Sequence, residues 1–161
     1  WPKSLVGTSL SNVNDAYLEE METFLNCVRE GKVRHEHDAM RATPSLAIAA
    51  SALAAARTGV ECGAIDTAAR KIVTDGGYGP DYKYFTHRLG HGMGMDGHEW
   101  PYLVRGNKTK LQANMTTSDE PGIYIRGEFG IRLEDDMHVT ENGAELFTPQ
   151  SPSLEDPFGK V

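Results

Sequence analysis

The sequence predicts an α+β fold, with N-terminal helices packed on an antiparallel sheet. Before Gly79, apolar residues recur at steps of three and four, which is the period of an amphipathic helix. After Gly79, glycine, proline, histidine and β-branched residues replace the alanines and glutamates, and the apolar runs become short. Because the helical pattern precedes the strand pattern and does not alternate with it, an antiparallel sheet is expected.

Three helices are predicted in the first half of the chain. Asn14 or Asp15 supplies a cap for the first helix, and Gly31 is placed to end it. The second begins with Thr43 as cap and Pro44 in the first turn, and it contains the alanine-rich stretch. The predicted spans are about residues 14–30, 43–57 and 63–75.

Short strands are predicted in the second half, and the last two are separated by Glu141-Asn142-Gly143, a hairpin turn signal. The predicted strands are Gly92–Met95, Met115–Ser118, Ile123–Ile125, Ile131–Glu134, Met137–Thr140 and Ala144–Phe147.

Composition excludes two classes of partner. The 161 residues carry a formal net charge of −7 with no block of lysine or arginine, which argues against non-specific binding to nucleic acid. No apolar run approaches the roughly 18 residues of a membrane helix, and the N-terminus lacks the pattern of a signal peptide. A cytoplasmic protein with no membrane or nucleic-acid partner is therefore expected.

Histidines are concentrated in the strand-rich half. His87, His91 and His98 fall within twelve residues, with Gly90, Gly92, Gly94 and Gly97 between them. Interleaved glycines let the backbone turn tightly while the imidazoles face one cavity. A single histidine would more often be structural, but this cluster favours a functional site.

Two carboxylates complete a plausible ligand set with these histidines. Glu120 lies at the end of a predicted strand, where Pro121 stops the strand. Glu134 lies inside another, and alternation places Arg132, Glu134 and Asp136 on one face. Imidazole with two carboxylates suits Mn, Co, Fe or Zn, so His91, Glu120 and Glu134 are the predicted metal ligands.

Three motifs carry a family resemblance. The runs from His91 to Glu99, from Asp119 to Gly122 and from Ile131 to Asp136 resemble the C-terminal half of the pita-bread metallopeptidases, the Xaa-Pro dipeptidases (prolidases) and relatives of aminopeptidase P. The resemblance covers about residues 54–161. It implies a half pita-bread fold, in which helices pack on a curved sheet.

The resemblance also implies roles for individual residues. His91 and Glu120 correspond to metal ligands, and Glu134 to a glutamate that bridges two ions. Glu120 also corresponds to a group that relays the proton of the attacking water. His98 and His87 correspond to histidines that act in catalysis and contact substrate, and Arg132 to a group that orients substrate or ligands. The implied cofactor is a divalent metal, Mn or Co, with Zn or Fe as alternatives, and the implied substrate is a short peptide with proline after the scissile bond.

The chain departs from that family in its first part. The family uses five ligands, and its two aspartates come from an N-terminal half that has no counterpart before Ala54. Residues 1–58 instead resemble the C-terminal tail of sugar or inositol dehydrogenases of the Gfo/Idh/MocA type. The resulting division is a helical segment, 1–58, for which a different origin is an open alternative, and a metallopeptidase-like domain, 59–161. The dehydrogenase nucleotide site lies upstream of that tail, so no NAD binding is expected.

Two functions remain open at this point. The chain is either a metallopeptidase domain whose missing ligands come from elsewhere, or a non-catalytic oligomerising scaffold that retains a remnant of the metal site. Because the family half-domain packs on a pseudo-symmetric twin, a homodimer or a partner that supplies the missing half is expected. The polar residues Thr116, Thr117 and Ser118 are expected to lie on a strand face left exposed by that missing half.

Overall fold

Two helices precede the sheet in the computed structural model, which describes residues 46–126, 129–150 and 152, apart from the side chain of residue 129. All these residues belong to one unit of the chain, Asp38–Val161. Helix α1 spans residues 46–55 and α2 spans Cys62–Val73. The second and third predicted helices are thus confirmed over these residues. The predicted helix at 14–30 and the start at Thr43 lie outside the described residues.

Helix α2 is amphipathic, and its buried side includes Ile65, Ala69 and Val73. The predicted helix ran to Asp75, but the chain leaves α-helical geometry after Val73 and makes a wider helical turn over Thr74–Tyr78. Gly77 within this turn has φ 84°, a value that glycine adopts without steric cost.

Seven strands follow among the described residues. They form a five-stranded sheet of order β2-β1-β3-β6-β7 and a separate β4-β5 hairpin, with every pairing antiparallel. The fold class is therefore α+β, as the sequence predicts. The strands are β1 (Gly90–Gly92), β2 (Glu99–Leu103), β3 (Thr116–Asp119), β4 (Gly122–Ile125), β5 (Phe129–Arg132), β6 (Asp135–Val139) and β7 (Ala144–Leu146).

Three differences from the sequence prediction stand out in the sheet. Strand β1 lies two residues earlier than expected, and β2 was not predicted. The prediction that Glu134 lies inside a strand is wrong, because β5 ends at Arg132 and Glu134 occupies the connection to β6. The predicted hairpin turn is confirmed, with the Thr140 N–H donating to the Gly143 carbonyl at 2.8 Å.

Helices and sheet share one hydrophobic core. Side chains of α1 and α2 lie in the same cluster as residues from the sheet and from the segment before it; its members include Ile48, Ala52, Ile65, Ala69, Val73, Phe85, Leu89, Leu103, Met137 and Val139.

The prediction that the polar strand is exposed is wrong, since Thr117 and Ser118 are buried and Thr116 is partly buried. None of the helices in the described part of the chain is long and apolar enough to cross a membrane.

Glycine brings β1 into close contact with its neighbours. A Cβ on Gly90 would lie 2.0 Å from the Ser118 carbonyl oxygen, and one on Gly92 would lie 2.2 Å from the Trp100 carbonyl oxygen. Both obstacles are backbone atoms of adjacent strands and cannot move aside. The glycines at these two positions therefore allow strand contact, whereas sequence analysis attributed them to tight turning.

Gly90→Ala is expected to destabilise the protein by about 1–3 kcal/mol or more, because the new methyl group forces β1 away from β3. Urea unfolding followed by circular dichroism measures the loss. Gly97→Ala is the matched control, since a Cβ there meets nothing within 4 Å. Equal unfolding midpoints for the two variants would contradict this account of the strand contact.

Candidate functional site

The site is built where β1 and β3 lie side by side. His91 is in the middle of β1, and Glu120 follows the last residue of β3. The His91 N–H donates to the Ser118 hydroxyl oxygen at 3.0 Å, and that hydroxyl donates to Oε1 of Glu120 at 3.2 Å. The Glu120 N–H donates to the Leu89 carbonyl at 2.8 Å. The backbone therefore fixes both predicted ligands, and Ser118, which sequence analysis did not single out as functional, links them.

The His91 imidazole and the Glu120 carboxylate face each other at the centre of this site. The Nδ1–H of His91 donates to the Gly92 carbonyl at 2.9 Å, which leaves the lone pair of Nε2 free. That Nε2 lies 3.2 Å from Oε1 of Glu120, and both residues are 7% exposed. With Nδ1 as the protonated nitrogen, two acceptors face each other in a buried space. A divalent cation held between them would satisfy both lone pairs.

Arg132 joins Glu120 to Glu134. Its guanidinium lies 3.6 Å from Oε2 of Glu120 and donates to Oε2 of Glu134 at 3.0 Å. Both Arg132 and Glu134 are about half exposed, so solvent screens their ion pair. Although Glu134 lies outside a strand, the structure places it beside Arg132, as the sequence predicts.

The two remaining predicted histidines contact different residues of the site. The His98 ring centroid is 4.4 Å from that of His91, edge to face, and His98 is exposed. Nε2 of His87 accepts from the Tyr124 hydroxyl at 3.1 Å. Burial raises the pKa of the Tyr124 phenol, and the nearby positive charge of Arg132 opposes this increase. Tyr124 thus stays a donor and links His87 to the group around Arg132, a role that its motif position in Gly-Ile-Tyr did not signal.

The donor atoms fit a divalent metal in chemistry but not in number. An imidazole nitrogen and a carboxylate oxygen 3.2 Å apart match two ligands of one ion with bonds of about 2.1 Å. Within the described ranges, however, no group of three or more histidine, cysteine, aspartate or glutamate residues is arranged to hold an ion. His91 and Glu120 converge, while Glu134 is turned toward Arg132. Further oxygen ligands are required.

Asp119 is a buried carboxylate that sequence analysis quoted in a motif but gave no role. It is 1% exposed, and neither carboxylate oxygen has a hydrogen-bond partner among the described residues. Burial, followed by the negative charges of Asp135 and Glu120, raises its pKa to about 8. Asp135 is its antiparallel partner across β3 and β6, and burial raises the pKa of Asp135 also. The sequence offered one signal for this residue, its position directly before Glu120 in the motif.

Comparison with known proteins identifies the family of the chain. The model of metallopeptidase family M24 matches residues 11–141. The chain belongs to family M24. The Xaa-Pro dipeptidase of Lactobacillus delbrueckii subsp. lactis is 38% identical over 154 residues, which cover 95% of this chain and 40% of that protein. This M24 chain therefore spans less than half the length of that relative.

Solved structures give the same family resemblance. Dipeptidase PepE from Mycobacterium ulcerans matches with a TM-score of 0.68 and 41% identity, over 73% of this chain and 31% of that one. Prolidase from Pyrococcus furiosus matches with a TM-score of 0.63 and 40% identity, over 67% of this chain and 31% of that one. The metallopeptidase family implies a divalent metal, in agreement with the donor atoms at His91 and Glu120.

The family match also includes much of the N-terminal segment. It begins at residue 11, within the range 1–58 for which the sequence leaves a different origin open. The separate origin of that segment and its likeness to dehydrogenase tails stay predictions.

Asp119 predicts a specific pH dependence of stability in metal-free protein. Because folding raises the pKa of Asp119, its protonated carboxyl group contributes to the free energy of unfolding. This contribution is full below the unfolded pKa near 4 and is lost as pH rises toward 8. Asp119→Asn should therefore gain stability relative to the parent between these pH values, by several kcal/mol at most, since one pKa unit is worth about 1.4 kcal/mol. Urea unfolding in a chelator across this range measures the difference.

The exposed Asp96→Asn serves as control and should show no such trend. A stability difference between Asp119→Asn and the parent that stays constant with pH would contradict the assignment of the raised pKa to Asp119.

Proposed function

We propose that this chain is a metal-dependent peptidase domain of the Xaa-Pro dipeptidase type, which hydrolyses short peptides and supplies only part of its metal site. The observation that carries the proposal is the His91–Glu120 pair, two buried acceptors 3.2 Å apart. Relatives named Xaa-Pro dipeptidase and prolidase support the substrate class. Mn or Co is the proposed metal, with Zn or Fe as alternatives, because the ligands are an imidazole and carboxylates.

His91, Glu120 and Glu134 are the proposed ligands. A divalent ion held there would activate water and polarise a peptide carbonyl. The buried Glu120 carboxylate accepts a proton from the attacking water, and Arg132 keeps the Glu120 and Glu134 carboxylates oriented through its two contacts. Arg132 binds only Oε2 of Glu134, so Oε1 is the atom that we propose as the ligand.

The substrate contacts are assigned to His98, His87 and Arg132. His98 stands exposed beside His91, where it can donate a proton to the leaving nitrogen or to the developing oxyanion. His87 is oriented by Tyr124, which in turn lies close enough to Arg132 and Glu120 to sense their charges. The exposed part of Arg132 is available to a substrate carboxylate.

A second candidate function follows from the incomplete ligand set. The described residues gather two converging donors and no group of three, which favours a scaffold that retains a remnant of the site. In either case we propose that a second copy of the chain or a partner covers the missing half of the fold. A partner that supplies oxygen ligands makes the site catalytic, and one that only covers apolar surface leaves it a scaffold.

Metal-free protein is expected to bind Mn or Co with affinity that depends on the proposed ligands. Removing one ligand, in His91→Ala or Glu134→Ala, should weaken binding about tenfold or more. Titration calorimetry measures this. His138→Ala is the matched control, because His138 contacts Asn114 outside the site. Equal affinities in all four proteins would show that the bound ion lies elsewhere.

Protein loaded with Mn or Co is expected to hydrolyse a dipeptide with proline in the second position faster than the same dipeptide with alanine there. His98→Ala should lower kcat by about 100-fold, the usual effect of losing a general acid, while metal affinity stays unchanged. Chromatography of the released products measures the hydrolysis rates and kcat, and titration calorimetry measures the metal affinity. Tight metal binding without hydrolysis of either peptide would favour the scaffold, and sedimentation would then test whether the chain is a homodimer.

A further inference from the structure

A buried arginine lies beneath the segment that presents His87. Arg70, on the inner side of α2, is 3% exposed. Its Nε donates to Oδ2 of Asp66 at 2.7 Å, and this pair is isolated from solvent. The charge of Arg70 is therefore neutralised within its own helix, and its two terminal nitrogens remain available to other elements.

Those nitrogens bind the backbone that leads to His87. One donates to the Phe85 carbonyl at 2.7 Å and to the Asp81 carbonyl at 3.3 Å, and the other donates to the His87 carbonyl at 2.6 Å. The guanidinium also stacks on the rings of Tyr82, at 3.7 Å, and Phe85, at 4.3 Å. The segment from residue 79 to 89 has no helix or strand, so its carbonyls depend on such donors.

The His87 imidazole is held in one tautomer at the end of this segment. Its Nδ1–H donates to the Arg88 carbonyl at 2.7 Å, and its Nε2 accepts from the Tyr124 hydroxyl at 3.1 Å. The Tyr124 N–H donates to the Tyr84 carbonyl at 2.9 Å, which attaches the same segment to β4. The direction of Nε2 thus depends on where the backbone at residues 84–88 is fixed.

We propose that Arg70 is a positioning residue for His87. Its guanidinium binds the carbonyls on both sides of Thr86 and so fixes the backbone from which the imidazole projects toward Tyr124. This role rests on the proposed function in one respect: the proposed function assigns a substrate contact to His87. Lysine at this position would keep the charge opposite Asp66 but could not reach both the Phe85 and His87 carbonyls in one plane.

Nitrogen-15 spectra of the histidine side chains test the proposal without any need for catalysis. In the parent protein, His87 is expected to show the separated nitrogen signals of a single tautomer protonated at Nδ1. In Arg70→Lys and Arg70→Gln, these signals should move toward the average of two tautomers, while the His91 signals and Mn affinity stay unchanged. If the parent hydrolyses proline dipeptides, kcat should fall about tenfold to a hundredfold with little change in KM.

Arg105→Lys is the matched control, since Arg105 binds the Asp81 side chain at 2.6 Å and lies over Tyr82 from the exposed side of the same segment. It should leave His87 unchanged. Unchanged His87 signals in folded Arg70 variants, or an equal shift in Arg105→Lys, would overturn the proposal. So would loss of folding in both Arg70 variants, because Arg70 would then determine the fold as a whole. Absence of Mn or Co binding in the parent would contradict the proposed function but not the positioning role of Arg70.

Discussion

The side-by-side contact of β1 with β3 is the constraint on which the site depends. At Gly90 the two backbones approach so closely that no side chain fits between them. This approach places the His91 N–H against the Ser118 hydroxyl, and that hydroxyl against the Glu120 carboxylate. The geometry of the two central acceptors is thereby fixed by backbone packing. A loop could not hold an imidazole and a carboxylate 3.2 Å apart with comparable precision.

Ionisable side chains are arranged around this centre in two layers. The buried layer contains His91, Glu120 and Asp119, with no buried positive side chain in direct contact among the described residues. The outer layer contains Arg132 and Glu134, which solvent reaches. Arg132 is half exposed and lies 3.6 Å from Glu120, so it compensates the negative charge of that carboxylate only in part. The inner layer is therefore suited to bind a cation. Ligand number, not ligand type, limits the site within the described residues.

The fold class was predicted from the sequence better than the strand boundaries were. The motif glycines and histidines indicated a site because their spacing is unusual whatever the exact strand limits. Strand β2 was missed because it contains Pro101, which argues against a strand unless that strand lies at an edge, as β2 does. Edge position is a property of the whole sheet and cannot be read from a local pattern. Arg70 and Asp119 were missed for a similar reason, since each is surrounded by residues of other elements, the segment before β1 for Arg70 and strand β6 for Asp119.

The edge position of Pro101 has a further consequence for how the protein behaves at high concentration. An edge strand offers unpaired backbone groups on which another chain can add a strand, which is the first step of fibrous aggregation. Proline lacks the N–H that such an addition needs, and β7, at the other edge of the described sheet, is only three residues long. Both edges are therefore poor templates for growth. Backbone pairing of another chain at these two edges of the described sheet is therefore disfavoured.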